Sequence, residues 1–214
     1  MLKFNKGLAI VGASIWGVAA GANASTIHGI DFPQGDLSFA DRIVSYTPGA
    51  GVTSRYMKSV EARGLPDWPK GGGVDFVSLG FGGSLVLEFT DNFLTASGDD
   101  AADLYVFEIG DQIEEFEVAI SVDGTDWVDL GIYVGQPSGI DIDAVSTVLT
   151  DELYSFVRLI DAQEDLPGAP NYAGADIDAV GVIQRVSLVP LPASAWMLLA
   201  GLAGLGAVSR KRAK

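Results

Sequence analysis

An all-β sandwich or jelly roll, with an apolar segment at each end of the chain, is the fold this sequence predicts. Three observations predict it. Short runs of alternating apolar and polar residues recur between Ser25 and Leu188, separated by Gly, Asp, Asn and Pro. No sustained helical periodicity interrupts them, so sheets packed on sheets are the available architecture. The flanking segments 1–24 and 189–214 hold none of the 28 acidic residues and carry basic residues toward their outer ends.

The strands follow in order. Candidates are Ile27–Phe32, Arg42–Tyr46, Asp75–Leu79, Ser84–Phe89, Leu104–Ile109, Glu117–Val122, Trp127–Tyr133, Ser155–Leu159 and Ile177–Val189. The clearest is EEFEVAISVDGTDWVDLGIYV, where Asp123-Gly124 favours the left-handed dihedrals of a tight hairpin. Val118, Ile120 and Val122 then share one face, and Trp127 and Tyr133 lie on the returning strand, with Trp127 expected in the core. Segment 47–73 breaks the pattern. It is rich in Gly and Pro and holds Arg55, Lys58, Arg63 and Lys70. It reads as a long surface loop with a short helical turn around 54–62, either functional or a variable insertion. Trp68, between prolines in LPDWPKGGG, is a candidate exposed aromatic for stacking on a sugar ring.

The ends read as addresses. Lys3 and Lys6 precede a short apolar run, and Ala22-Asn23-Ala24 places small residues just before Ser25. That is the layout of a signal peptide cut by signal peptidase between Ala24 and Ser25. The alternative is an uncleaved anchor. Leu191 to Val208 is an 18-residue stretch without charge, followed by Arg210, Lys211, Arg212 and Lys214. Its length is near the lower limit of about 17–25 residues for a membrane helix. The basic tip would stay cytoplasmic and hold the preceding domain outside. A buried core helix, the alternative, normally shows a polar face, and this stretch shows none.

Composition narrows the function. Segment 25–188 holds 7 basic and 28 acidic residues, a formal charge of −21. Such a surface repels nucleic acid. It suits a cation-rich extracellular setting or simply keeps the protein soluble. The chain has no cysteine, which excludes thiolate zinc sites and cysteine nucleophiles. Its one histidine, His28, excludes a histidine-clustered metal site.

Two resemblances add to this reading. Val189-Pro190-Leu191-Pro192-Ala193, an apolar helix and a basic cluster together resemble a VPLPA-CTERM sorting signal, a variant of the PEP-CTERM signal of Gram-negative bacteria. The resemblance covers about the last 26 residues. It implies recognition by an exosortase, transient anchoring in the inner membrane, and release to the cell surface or extracellular matrix of bacteria that make exopolysaccharide. Between Val77 and Val182, the stretches SLGFGGSLVLEFTDN, DLYVFEIG, VAISVDGTDWVDLG, FVRLIDA and GADIDAVG resemble discoidin-like, galactose-binding-type jelly rolls. That implies a galactose-binding-like β-sandwich, and it allows a structural calcium between an early loop and the last strand.

The acids supply candidate ligands. GIDIDAV (139–145) returns as GADIDAV (174–180). In a regular strand Asp176 and Asp178 share a face with Val180 and Val182, which belong in the core. A cation, backbone N–H groups or a bend must relieve two carboxylates placed there. Glu108 likewise shares a face with Leu104 and Val106. Calcium accepts 6–8 oxygen ligands of this kind. Asp176, Asp178 and Glu108 are the first candidates, Asp41 and Asp103 the next. The alternative is that these acids cap strands and accept backbone hydrogen bonds without metal. The acidic run Asp99, Asp100 and Asp103 lacks the spacing of an EF-hand loop and reads as solvated.

The expected function is a non-enzymatic surface or matrix protein whose sandwich binds exopolysaccharide or another surface component. A small carboxylate-based glycan hydrolase or lyase, using acids such as Glu108 and Asp178, is the alternative. A matrix filler with no ligand is a third reading. The two addresses make one prediction directly. Intact mass of the secreted protein should show a chain beginning at Ser25 and lacking the tail, and a product still ending in Lys214 would refute the processing.

Overall fold

The structure, a computed structural model, describes residues 24–69, 74–163 and 173–183. These belong to the compact unit Ala22–Ser187. The strands are β1 (Ser25–Ile27), β2 (Ile30–Phe32), β3 (Arg42–Thr47), β4 (Val77–Ser78), β5 (Ser84–Glu88), β6 (Leu104–Glu108), β7 (Glu115–Ser121), β8 (Val128–Val134), β9 (Ser138–Ile140), β10 (Phe156–Asp161) and β11 (Asp176–Val182). Short 3-10 turns occupy Gly35–Ser38, Ser54–Tyr56, Ser59–Ala62 and Ile142–Ala144. Among the described residues no helix is long and apolar enough to cross a membrane. The predicted span 191–208 and the sorting residues 189–193 lie outside those residues, as do 1–23. Ala24 is exposed, and Ser25 opens β1.

Every strand pairing is antiparallel. One sheet has the order β3-β5-β10-β7-β8, another β4-β11-β6-β9, and β1 with β2 forms a hairpin of its own. Period-2 burial builds the first sheet's inner face. Leu87, Val157 and Ile120 lie abreast on β5, β10 and β7, and Leu85, Leu159 and Val118 form the next row. These rows share one core with Leu104, Val106, Ile177, Val180 and Val182 of the second sheet. Two sheets over one core give a sandwich-like all-β unit.

β11 is buried along its whole length. Its inner residues face that shared core. Its outer side meets a second cluster formed by Phe32, Phe39, Phe107, Ala179 and Ile183. The hairpin β1–β2 and the turn Gly35–Ser38 bring this aromatic layer over the sheet. Phe32 and Phe39 lie 4.7 Å apart, centroid to centroid. Gly181 is required beneath them, since a Cβ there would come within 2.8 Å of the Phe39 ring. The turn of the hairpin uses positive φ at His28 and Gly29, 51° and 80°.

Three expectations change. First, Asp176 and Asp178 do not share the face of Val180 and Val182. Ile177 pairs with Glu108 and Ala179 with Phe107, so Asp178 is the extra residue of a β-bulge and the face switches there. Second, the Asp123-Gly124 hairpin has a longer connection than a two-residue turn. The Asp123 carboxylate accepts from the N–H groups of Asp126 and Thr125, which hold it well below the usual carboxylate range. Val122 leaves the sheet and is exposed. Third, Trp127 is not core. It sits half-buried, with the Arg158 guanidinium 4.5 Å above its ring. Arg158 alternates with buried Val157 and Leu159, so this is the sheet's outer face.

The outer aromatic layer should fold with the sandwich as one unit. Phe39→Ala should lower unfolding free energy by about 3–5 kcal/mol in urea denaturation, as other buried Phe truncations do. A loss below about 1 kcal/mol would show that the layer adds little.

Candidate functional site

The long loop after β3 is tied down at several points. Ala62 is fully buried, and the Gly64 N–H donates to the Ala40 carbonyl at 2.9 Å. The Asp178 carboxylate accepts from the backbone N–H of Asp67 at 3.3 Å and of Trp68 at 3.2 Å. The bulge therefore aims an acid of the central strand at the loop. It fixes the Trp68 backbone while leaving the side chain 37% exposed.

Beside Trp68 lies a cavity of about 370 Å³, within the usual size range of small-molecule sites. Arg55, Tyr56 and Trp68 come from the loop, Val74 and Phe76 from the approach to β4. Ile109, Gly110, Asp111, Gln112 and Glu114 come from the β6–β7 connection, and Asp176 opens β11. Tyr56 stacks on Phe76 at 5.7 Å and 22°. The Arg55 guanidinium carbon lies 5.6 Å from the centre of the Tyr56 ring. The cavity thus has aromatic surface, one guanidinium and three carboxyl groups, Asp111, Glu114 and Asp176.

Burial governs Asp176 and Glu114. Asp176 is 4% exposed, and burial pushes its pKa up to about 8, with Glu114 adding to the shift. Its Oδ1 accepts a short hydrogen bond from Ser78 Oγ. Glu114 is pushed up to about 7 by burial and then by Asp161. Near neutral pH Glu114 sits close to half-protonation and Asp176 is mostly protonated, so the pair can both donate to and accept from a hydroxylated ligand. Behind them, the Tyr46 hydroxyl donates to the Ser78 carbonyl at 2.6 Å, and burial pushes its pKa up to about 12.

The acids expected from sequence lie in several places. Trp68 and Asp176 come together in the cavity wall, and Asp178 lies under the Trp68 backbone. Glu108 is 1% exposed beside Ile177, and neither of its oxygens has a hydrogen-bond partner among the described residues. Burial pushes it up to about 8. Asp41 accepts from the Thr90 N–H at 2.6 Å and the Thr90 hydroxyl at 2.9 Å. Asp103 is fully buried and joins Asp141 and Asp143, with one carboxylate oxygen of each within 4.8 Å of the others. Burial pushes Asp103 up to about 6. Among the described residues, Asp41, Glu108, Asp176 and Asp178 join no such group. Sequence reasoning missed Arg55, Tyr56, Phe76 and Glu114. The basic, Gly/Pro-rich character of 47–73 was the available signal for the first two. The chain matches no protein-family model and no curated protein in sequence comparison.

The buried carboxyls set a pH dependence. Glu108 and Asp176 hold their protons in the folded chain up to about pH 8, against ordinary values of 4.5 and 3.8. Across that window unfolding releases protons, so stability falls as pH rises. The melting temperature should drop by about 4 °C or more between about pH 5 and pH 8. Glu108→Gln should flatten that fall and melt higher than the native chain at about pH 8. A melting temperature that rises over this range would contradict the assignment.

Proposed function

We propose that the protein is an exported, non-catalytic binding module for a neutral glycan, displayed at the bacterial surface or in its matrix. The Trp68 cavity carries this reading. An aromatic side chain offers its face to the apolar C–H side of a sugar ring. Tyr56 and Phe76 extend that surface. Asp176, Glu114 and Arg55 supply the few convergent polar groups that fix a hydroxylated ligand. The arrangement of two antiparallel sheets over one core supports a galactose-binding-like jelly roll. The signal peptide and the VPLPA-type tail support export, exosortase processing and contact with the cell's own exopolysaccharide.

One observation favours a second reading. Asp176 and Glu114 share one cavity with pKa values of about 8 and about 7, a pairing that an acid–base catalyst uses. A glycan hydrolase or lyase would work through these two. Glu108 and Asp178, the pair expected from sequence, do not line the cavity. Release of new reducing ends or unsaturated sugars from the host polymer would establish catalysis and displace the binding proposal.

Calorimetric titration with neutral oligosaccharides from that polymer tests binding. Trp68→Ala should weaken affinity about 10-fold or more, as truncating an aromatic anchor does. Unchanged affinity in Trp68→Ala would place the ligand elsewhere.

A further inference from the structure

A second cluster stands apart from the Trp68 cavity and shares no lining residue with it. We propose that Asp103, Asp141 and Asp143 form a calcium site that clamps the loop before β6 to the turn after β9. The backbone builds it. The Asp103 N–H donates to the Ile140 carbonyl at 2.9 Å, and Ile183 N–H donates to the Asp103 carbonyl at 2.7 Å. Ile142 N–H donates to Asp103 Oδ2 at 3.2 Å. Asp103 is thereby held against the turn Ile142–Ala144 and is fully buried there.

Each acid commits one oxygen to the chain. Asp103 Oδ2 takes Ile142 N–H. Asp141 Oδ1 takes Asp143 N–H at 2.9 Å. Asp143 Oδ2 takes Gly98 N–H at 3.0 Å and Ser97 Oγ at 3.2 Å. The second oxygens remain. Asp103 Oδ1 is the decisive one, because it belongs to a fully buried residue and has no partner among the described residues. A buried carboxylate oxygen without a donor is strongly unfavourable. One oxygen from each acid lies within 4.8 Å of the other two, so the three share a space that one ion can occupy. Their mutual repulsion makes a cation the fitting occupant.

Calcium fits this donor set better than other common ions. All ligands are carboxylate oxygens, two from one turn and one from the segment before β6. Calcium tolerates that variety, whereas magnesium does not. Zinc would call for nitrogen or sulfur ligands. Asp141 and Asp143 line a cleft of about 240 Å³ together with Asp99 and Asp100, while Asp103 lies buried behind it. Water there can complete a shell of 6–8 oxygens. Such solvent-open sites in extracellular modules bind at about 10⁻⁴–10⁻³ M.

The test uses the full-length chain, stripped of metal and titrated calorimetrically with CaCl₂ alone and with MgCl₂ alone. One calcium per chain should bind, with magnesium at least 10-fold weaker. Excess calcium should raise the melting temperature over that in chelator. Asp141→Asn and Asp143→Asn keep the hydrogen-bonding shape. Each should lose at least 10-fold in calcium affinity while melting at or above the native temperature in chelator. Those chelator melts show the variants folded. Absence of both heat and thermal shift with CaCl₂ would overturn the site. Undiminished calcium binding in the Asp141→Asn, Asp143→Asn double variant would also overturn it, by placing the ion elsewhere.

Discussion

The structure depends on one strand being buried on both faces. β11 fills the main core with Ile177, Val180 and Val182 and floors the aromatic layer with Ala179 and Gly181. A strand in that position can keep polar side chains only where its ends reach something that receives them. Asp176 and Asp178 sit at its N-terminal end, where the long loop and the β6–β7 connection meet. The bulge at Asp178 serves both needs. It keeps apolar residues on the core side after the acids, and it turns one carboxylate toward the loop backbone.

Three solutions to the buried-carboxylate problem appear side by side. Asp161 and Asp178 collect backbone N–H donors. Asp161 takes those of Ala175 at 2.8 Å and of Gly82 and Gln163 at 3.2 Å. Asp176 takes a single side-chain donor, Ser78, and its pKa climbs. Glu108 takes none and holds its proton to about pH 8. Each donor stabilises the charged form, and with no donor the group stays neutral rather than bury an ion. Net charge counted from composition therefore overstates the charge the folded domain carries near neutral pH.

Much of the sheet was legible in the sequence. Each of the nine candidate strands overlaps an observed one, the last, Ile177–Val189, as far as Val182 with 184–189 outside the described residues, because half-buried strands print a period of two. The N-terminal candidate splits into a hairpin at His28-Gly29, whose positive φ values no apolar pattern reveals. β9 was missed, since three residues with a central Gly give no alternation to read. The echo of GIDIDAV in GADIDAV marks no shared structure. The first copy is the end of β9 and a 3-10 turn capped by Asp141, and the second is a buried bulged strand. Tertiary pairing decided between them. Face assignment failed at Asp178 because one inserted residue reverses all parity after it. The cavity was half legible. Trp68 stood out by its proline neighbours, and the placing of Arg55 and Tyr56 depends on loop packing with no sequence period.

Charge distribution bears on which glycan the cavity suits. Three of the seven basic residues of segment 25–188, Arg55, Lys58 and Arg63, fall in the described part of the loop over the acidic end of β11. Arg55 faces the same cavity as Asp176 and Glu114. A uronate or sulfated sugar would gain one cation there and meet Asp111 besides the two carboxyl groups of raised pKa. Its own charge would also raise their pKa values further, since like charges favour the protonated form. Binding an anion would then require proton uptake at neutral pH, a cost that a neutral sugar avoids. A neutral ring can instead set its hydroxyls between carboxyl and guanidinium groups and its apolar face on Trp68. On the proposed reading, the acid-rich composition is thus a selectivity device as well as a source of solubility.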